Sequence, residues 1–176
     1  MENLDIIDSN DNVIWINTRH ESYKNFTTNR IISVVIFNKE WKIALQKRSL
    51  TCSYMPWWWW LSAWWHVSSW ETYLDSAKRE LKEEIWVICD LKFKDKFYWD
   101  RLEWDLKYWV NNNPSKKHHY FFETIFEWHY DWDFKFDDWE VDKIEFFSIK
   151  ELKNIIENND ILLTNWCRFI LEKYYF

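Results

Sequence analysis

Three glutamates near the middle of the chain have residue types and a spacing that suit chemistry. Glu80, Glu83 and Glu84 stand at i, i+3 and i+4, so on a helix their carboxylates share one face. Carboxylates held this close repel one another unless a positive charge lies among them. Mg²⁺ takes oxygen ligands and is commonly shared with substrate phosphates. The spacing therefore predicts a magnesium site that acts on a phosphate compound.

The same glutamates also fit an ordinary solvated helix surface. Lys78 and Arg79 are alternative partners for the carboxylates, and a helix face of mixed lysines and glutamates is usually exposed to water. The helix alone leaves both interpretations open, and the residues around it have to decide between them.

The element that must position the glutamates is a helix over Tyr73–Ile85. Thr72 and Asp75 form an N-cap pair that resembles a capping box, and Trp86 stands at the C′ position, which favours glycine. We expect the glutamates to lie opposite an apolar stripe that faces the core. The stripe consists of Leu74, Ala77, Leu81 and Ile85.

Patterns on either side of this helix predict a single layered α/β domain of strands and helices. A short N-terminal hairpin is expected, with a loop and one short strand at 49–67 and a long polar loop at 99–119, a length that is usually functional or disordered. The predicted strands are 4–7, 13–16, 30–37, 42–46, 91–98, 120–126, 134–136 and 143–147, and two further helices are predicted at 149–157, opened by a capping box, and 164–174.

Tryptophans stand where glycine is expected. The chain of 176 residues has 17 Trp and no Gly, whereas average usage predicts roughly 12 glycines. Trp41, Trp132 and Trp139 adjoin turn-forming Asn and Asp residues, where glycine would supply a positive φ. We interpret most tryptophans, Trp166 excepted, as occupying glycine positions. Strain of about 1–2 kcal/mol at each left-handed site would then rival the whole stability, which predicts a poorly folded, inactive chain.

Composition narrows the functional classes. The net charge of −6 argues against a nucleic-acid surface, which is usually basic. Three cysteines without C-x-x-C spacing favour a reduced, cytoplasmic compartment. The first residues lack the pattern of a signal peptide, and the longest apolar run is too short to span a bilayer.

The residues around the glutamates match a longer pattern. The chain reads W-x5-E-x7-R-E-L-x-E-E-x-W-V from Trp65 to Val87, and this resembles the signature G-x5-E-x7-R-E-U-x-E-E-x-G-U of the Nudix family, where U is aliphatic. Trp65 and Trp86 occupy the two glycines, at backbone positions that the loop–helix–loop needs as glycine. Seven other fixed positions match, which makes the resemblance specific: Glu71, Arg79, Glu80, Leu81, Glu83, Glu84 and Val87.

The resemblance implies roles for these residues. Glu80, Glu83 and Glu84 would hold Mg²⁺, with Mn²⁺ as an alternative ion, helped by the backbone carbonyl of Trp65. Glu83 or Glu84, or a carboxylate on a later loop, would activate the attacking water. Arg79 would orient the glutamates. Glu71 would tie the loop to the helix, and Trp86 would be structural. The implied activity is hydrolysis of a diphosphate linkage.

Flanking segments resemble one Nudix subgroup, similar to isopentenyl-diphosphate isomerase, with the runs "IALQKRS", "MPW" and "LSAWWHV". The implied fold is an α/β/α sandwich around a mixed sheet. Isomerase activity is a weaker alternative, because Trp64 stands where the isomerase has cysteine. His66 matches an isomerase metal ligand, although a lone histidine is more often structural. A catalytically silent Nudix-fold binding module is a further alternative, which the complete glutamate set disfavours.

Other candidates lie outside the motif. Lys116, Lys117 and His119 could meet substrate phosphates, although a solvated loop end is the plainer interpretation, and Glu140 could be a distal base or a surface carboxylate. We expect one Nudix domain, divided into a hairpin extension (1–29), a core (30–148) and C-terminal helices (149–176). The expected partner is a small-molecule diphosphate, with no nucleic acid or membrane and with a homodimer as an alternative to a monomer.

Overall fold

A computed structural model describes residues 2–52, 55–100, 120–131, 133–136 and 139–176. The predicted phosphate contacts Lys116, Lys117 and His119 lie outside these residues. The elements are β1 (Asn3–Ile7), β2 (Val13–Thr18), α1 (Arg19–Asn25), β3 (Asn29–Phe37), β4 (Ile43–Arg48), β5 (Trp59–Trp60), β6 (Ala63–His66), α2 (Tyr73–Ile85), β7 (Lys92–Asp100), β8 (Tyr120–His129), β9 (Val141–Phe147), α3 (Ile149–Asn158) and α4 (Asn165–Tyr174).

One mixed sheet organises the described residues. Its path is β5-β4-β3-β8-β7, with β6 paired to β3 and β9 paired to β4. β3 and β8 run parallel over their whole length, and the other pairs in the sheet are antiparallel. β1 and β2 form a separate antiparallel hairpin, as the sequence predicts.

Alternate residues of β3 supply two cores. Val34 and Ile36 belong to a buried cluster with α2, whereas Val35 and Phe37 belong to a cluster with α3 and α4. Successive side chains of a strand point to opposite faces of the sheet. Helices therefore cover both faces, and the predicted α/β/α sandwich is confirmed.

Local signals in the sequence explain the helix that carries the glutamates. The Thr72 side chain accepts a hydrogen bond from the backbone N–H of Asp75 at 3.1 Å, and the helix ends at Trp86 in a left-handed conformation. The N–H groups of Trp86 and Val87 both donate to the carbonyl of Leu81, the second at 3.1 Å, which closes the last turn. The predicted bounds of α2 are confirmed.

The structure departs from the sequence prediction in three places. Residues 134–136 do not form a strand, because this short apolar run has no strand partner and Phe134 instead packs against Tyr130 and Phe146. The segment 49–67 contains two short strands rather than one. The helix α1 was not predicted. It is short, with a Thr18 N-cap and only Ser22 buried, so it has no apolar periodicity to reveal it.

The N-terminal hairpin lies against the loop that precedes α2. Leu4 forms a β-bridge with Ser68, and the Ser69 N–H donates to the carbonyl of Asn3 at 2.8 Å. Leu4 itself is fully buried. The extension is thereby attached next to the glutamate helix. The division of the chain at 29 and 148 stays a prediction.

Within the described residues, four tryptophans adopt a left-handed backbone, namely Trp41 (φ 59°), Trp57 (φ 73°), Trp70 (φ 72°) and Trp86 (φ 57°). At about 1–2 kcal/mol each, their strain sums to roughly 4–8 kcal/mol, a large share of a typical stability of roughly 5–15 kcal/mol. Trp65 lies in β6 without a positive φ, so its backbone conformation does not call for glycine. The wider interpretation of the tryptophans stays a prediction.

Among the described residues, no helix is both long and apolar enough to cross a membrane.

Candidate active site

The three glutamates of α2 differ in burial. Glu80 and Glu84 are 4% exposed, whereas the side chain of Glu83 is 57% exposed. The expectation that all three lie opposite the apolar stripe is wrong. At 3.6 residues per turn, Glu84 projects only about 20° from Ala77 around the helix axis, so it shares the buried face. The stripe also loses a member, because Leu74 is 36% exposed.

Arg79 connects the glutamates to the preceding loop. Its Nη1 donates to Glu80 Oε1 at 2.5 Å and to Glu83 Oε2 at 3.0 Å. Its Nε and Nη2 donate to the two carboxylate oxygens of Glu71 at 2.7 and 2.9 Å. Such a bidentate pair has a fixed geometry. The arginine thus holds the loop and two of the three glutamates in one arrangement, with the Glu71 bond as the main cause of its raised pKa.

Glu84 turns away from Arg79 toward the sheet. Its Oε2 accepts a hydrogen bond from Gln46 Nε2, on β4, at 3.1 Å, and both residues are buried. Glu140, predicted as a distal base or a surface carboxylate, pairs with Arg48 at 3.7 Å, and its side chain is 20% exposed. The charge of Glu140 contributes to the raised pKa of Glu84, so Glu140 lies within electrostatic reach of the glutamate helix.

Burial disfavours the ionised forms of the Glu80 and Glu84 carboxyl groups. Desolvation raises the pKa of Glu80 to about 8, although Arg79 partly opposes the shift. Desolvation also raises the pKa of Glu84 well above its ordinary value, and the neighbouring charge of Glu80 adds to this effect. A cation placed between such groups would favour their ionised forms. The cluster therefore has the electrostatic character of a cation site.

Two residues from the N-terminal extension reach the same cluster, and the sequence did not single them out. Arg19 of α1 pairs with Glu2 at 3.4 Å, and its guanidinium lies 4.5 Å from the centre of the Trp65 ring. Burial raises the pKa of Glu2, and the charge of Glu2 in turn raises the pKa of Glu80. No local sequence pattern could have revealed them, because long-range folding of the hairpin brings them to α2.

The donor set fits a hard divalent ion in chemistry, since carboxylate oxygens are the ligands that Mg²⁺ prefers. The charge of Glu2, a partly buried carboxylate, adds to the negative charge around Glu80 and helps to raise its pKa. In the described part of the chain, however, no group of three or more His, Cys, Asp or Glu side chains is already arranged to hold a metal. Instead, Arg79 donates hydrogen bonds to Glu80 and Glu83, and Gln46 donates one to Glu84. The assignment of Glu80, Glu83, Glu84 and the Trp65 carbonyl as ligands stays a prediction.

His66 is held by neighbours on both ring nitrogens. Its Nε2 lies 2.7 Å from the Tyr23 hydroxyl, and its Nδ1 lies 3.1 Å from Asn29 Oδ1. The ring is fully buried. A histidine with both nitrogens occupied serves to attach α1 to the sheet, which agrees with its structural interpretation.

Comparison with known sequences identifies the pattern. A family model described as the NUDIX domain matches residues 27–167. A curated relative, an uncharacterized Nudix hydrolase of Nostoc sp., is 36% identical over 86 residues, which are 48% of this chain and 51% of the relative. The chain therefore spans about half the length of this curated relative.

Solved structures show the same fold at low identity. A Deinococcus radiodurans protein is similar with a TM-score of 0.75 and 19% identity, and the match covers 98% of this chain and 99% of that one. A MutT protein from Methanosarcina mazei has a TM-score of 0.62 and 15% identity, with 83% and 91% covered. The NUDIX domain of Shewanella oneidensis NrtR, complexed with ADP ribose, has a TM-score of 0.56 and 12% identity, with 89% and 96% covered.

Proposed function

The chain belongs to the Nudix family, and from this premise we propose that it is a Mg²⁺-dependent pyrophosphohydrolase. Its substrate is a nucleoside diphosphate derivative or a similar small molecule with a diphosphate linkage. The observation that carries the proposal is the Arg79 clamp on Glu71, Glu80 and Glu83, with Glu84 buried beside it. A chain that needed only a solvated helix surface would not bury two carboxylates there.

The proposed reaction assigns each residue a task. Glu80, Glu83 and Glu84 would hold the ion, helped by the carbonyl of Trp65. When bound, a divalent ion screens the phosphates and lowers the pKa of a bound water. Glu83 or Glu84 accepts a proton from the water whose oxygen attacks phosphorus, and the bridging P–O bond breaks to leave two phosphate products. Arg79 keeps the carboxylates oriented throughout.

The substrate class rests on two supports. A nucleoside diphosphate derivative, ADP ribose, is bound by the Shewanella domain that shares this fold. The net charge of −6 disfavours nucleic acid as a partner. We therefore propose a small-molecule substrate and a cytoplasmic location, with no nucleic-acid or membrane partner.

The tryptophans affect this activity. Because left-handed tryptophans strain the backbone at Trp70 and Trp86, within the motif, we propose that the chain is inactive as it stands. A glycine variant, in which Gly replaces Trp64, Trp65, Trp70 and Trp86, should regain activity.

The test is a screen of nucleoside diphosphate derivatives with the glycine variant, with and without Mg²⁺, in which alkaline phosphatase converts the phosphomonoester products to inorganic phosphate for measurement. Hydrolysis that requires Mg²⁺ supports the proposal. Binding of such compounds without any cleavage would instead identify a silent binding module. Conversion to an isomer without phosphate release would identify the isomerase alternative.

A further inference from the structure

A cleft lies between the N-terminal extension and the strand that leads into the motif. It encloses about 370 Å³ and is lined by Arg19, His20, Tyr23 and Trp64. This volume is within the roughly 300–1,000 Å³ typical of small-molecule sites. Trp64 precedes Trp65, the residue under the Arg19 guanidinium, so the cleft adjoins the start of the motif.

Arg19 has hydrogen-bond donors to spare for a ligand. The ion pair that Arg19 makes with Glu2 is long at 3.4 Å, and the Arg19 side chain is 36% exposed. Arg79, by comparison, already donates to three carboxylates at 2.5–3.0 Å. Arg48 already pairs with Glu140. Of these three arginines, Arg19 is the one whose planar fork can turn to an incoming anion.

His20 adds a second polar group to the cleft beside Arg19. His20 is exposed and follows Arg19 on α1, and in either neutral tautomer an imidazole keeps one N–H donor. Tyr23 is fixed by its contact with His66, which anchors α1 to β6. The indole Nε1 of Trp64 is buried without a hydrogen-bond partner. The cleft thus combines a guanidinium with the N–H donor of His20, and none of its described lining residues is a carboxylate.

We propose that Arg19 and His20 form a phosphate subsite, which binds oxygens of the substrate diphosphate while α2 acts on the linkage. An arginine fork matches two phosphate oxygens at once. The carboxylates of the motif repel substrate phosphates that the bound ion does not screen, and a guanidinium at the edge of the motif would offset this repulsion. This inference rests on the proposed function for the identity of the substrate, but its anion site can be tested separately.

The experiment measures binding of inorganic pyrophosphate, without metal, by isothermal titration calorimetry. The parent protein is a Trp70→Gly/Trp86→Gly variant, because these changes relieve left-handed strain and keep Trp64 in the cleft. Arg19→Gln should weaken binding about ten- to a hundredfold, as expected for loss of a charged hydrogen-bonding pair. Arg19→Lys should bind with intermediate affinity, because it keeps the charge and loses the fork. Lys24→Gln, an exposed charge on the same helix outside the cleft, is the matched control and should bind as the parent does.

A variant with the opposite sign excludes a merely structural role. Glu2→Gln removes the carboxylate that competes for Arg19 and should tighten pyrophosphate binding severalfold. If the pair served only to hold the fold, both substitutions would weaken binding. Equal affinity of the parent and Arg19→Gln, or no pyrophosphate binding by the parent, overturns the subsite. The proposed hydrolase is judged separately by Mg²⁺-dependent cleavage in the glycine variant, which can succeed or fail independently.

Discussion

Two buried glutamates on opposite faces of the sheet share a raised pKa but not their surroundings. Burial raises the pKa of both Glu80 and Glu123 to about 8. Glu80 lies among further carboxylates and is bonded to Arg79. Glu123, on β8, accepts hydrogen bonds from Ser33 at 2.5 Å and Trp166 at 3.0 Å, both neutral donors. A raised pKa therefore reports burial, and the assembled charges around it distinguish a reactive site from a core residue.

The largest expected effect is on turnover, and it comes from the carboxylates of α2 rather than from Glu123. In the glycine variant, Glu83→Gln or Glu84→Gln should reduce turnover at least about a hundredfold, because each removes a carboxylate needed for the ion or the proton. Steady-state formation of the phosphomonoester products, measured as inorganic phosphate after phosphatase treatment, reports the effect. Glu123→Gln, made in the same glycine variant, is the matched control and should leave the turnover rate nearly unchanged. Near-normal turnover in both motif variants would refute the site.

Metal binding should distinguish Glu80 from Glu123 through its effect on the melting temperature. A ligand at a hundred times its Kd stabilises the native state by about 2.7 kcal/mol, which for this size corresponds to roughly 5–10 °C in Tm. Mg²⁺ should therefore raise the melting temperature of the glycine variant. Glu80→Ala should abolish the shift, whereas Glu123→Gln should preserve it. A Mg²⁺ titration that leaves the melting curve of the glycine variant unchanged would count against the site.

The titration of Glu123 should instead be measurable in the pH dependence of the free energy of unfolding. Its folded pKa of about 8 exceeds the ordinary value of 4.5, so its contribution to stability is fully present below about pH 4.5 and is lost as pH rises to 8. The loss is on the order of a few kcal/mol. Glu123→Gln removes this titration.

Urea unfolding of the parent and of Glu123→Gln between pH 5 and pH 8 measures the effect. The variant should gain stability over the parent as pH rises, whereas Glu145→Gln, an exposed control paired with Lys143, should not. Parallel stability profiles for parent and Glu123→Gln would show that Glu123 titrates normally.

The smallest effect concerns the left-handed tryptophans. Trp86→Gly should stabilise the chain by about 1–2 kcal/mol, since glycine takes a positive φ without strain and the indole is 58% exposed. Trp15→Gly is a suitable control, because Trp15 is exposed within β2 and glycine there should destabilise by about 0.5–1 kcal/mol. Urea unfolding distinguishes the two, and a destabilising Trp86→Gly would contradict the glycine interpretation there.

The sequence predicted what depends on near neighbours. The bounds of α2 follow from a cap at Thr72, apolar residues at helical spacing and a stop at Trp86, all within one short segment. The capping box that opens α3 was equally visible, since Ser148 and Glu151 bond each other's backbone. Such signals act over three or four residues, so they can be recognised without the fold.

Contacts between distant segments could not be predicted in this way. Glu2 and Arg19 reach the motif through the docked hairpin, and Gln46 reaches Glu84 through sheet pairing. The buried Glu123 looked like an ordinary strand residue, because its environment is supplied by β3 and α4. These surroundings of the candidate site therefore depend on tertiary structure.

Direct measurement of ion binding tests the central claim, that the α2 carboxylates form a divalent cation site. Mn²⁺ can be titrated into the glycine variant and followed by electron paramagnetic resonance, alongside a Glu83→Gln/Glu84→Gln double variant and the Glu123→Gln control. We expect saturable Mn²⁺ binding by the glycine variant itself and by its Glu123→Gln control, and loss of that binding in the double variant. Equal Mn²⁺ binding by all three proteins would contradict the assignment.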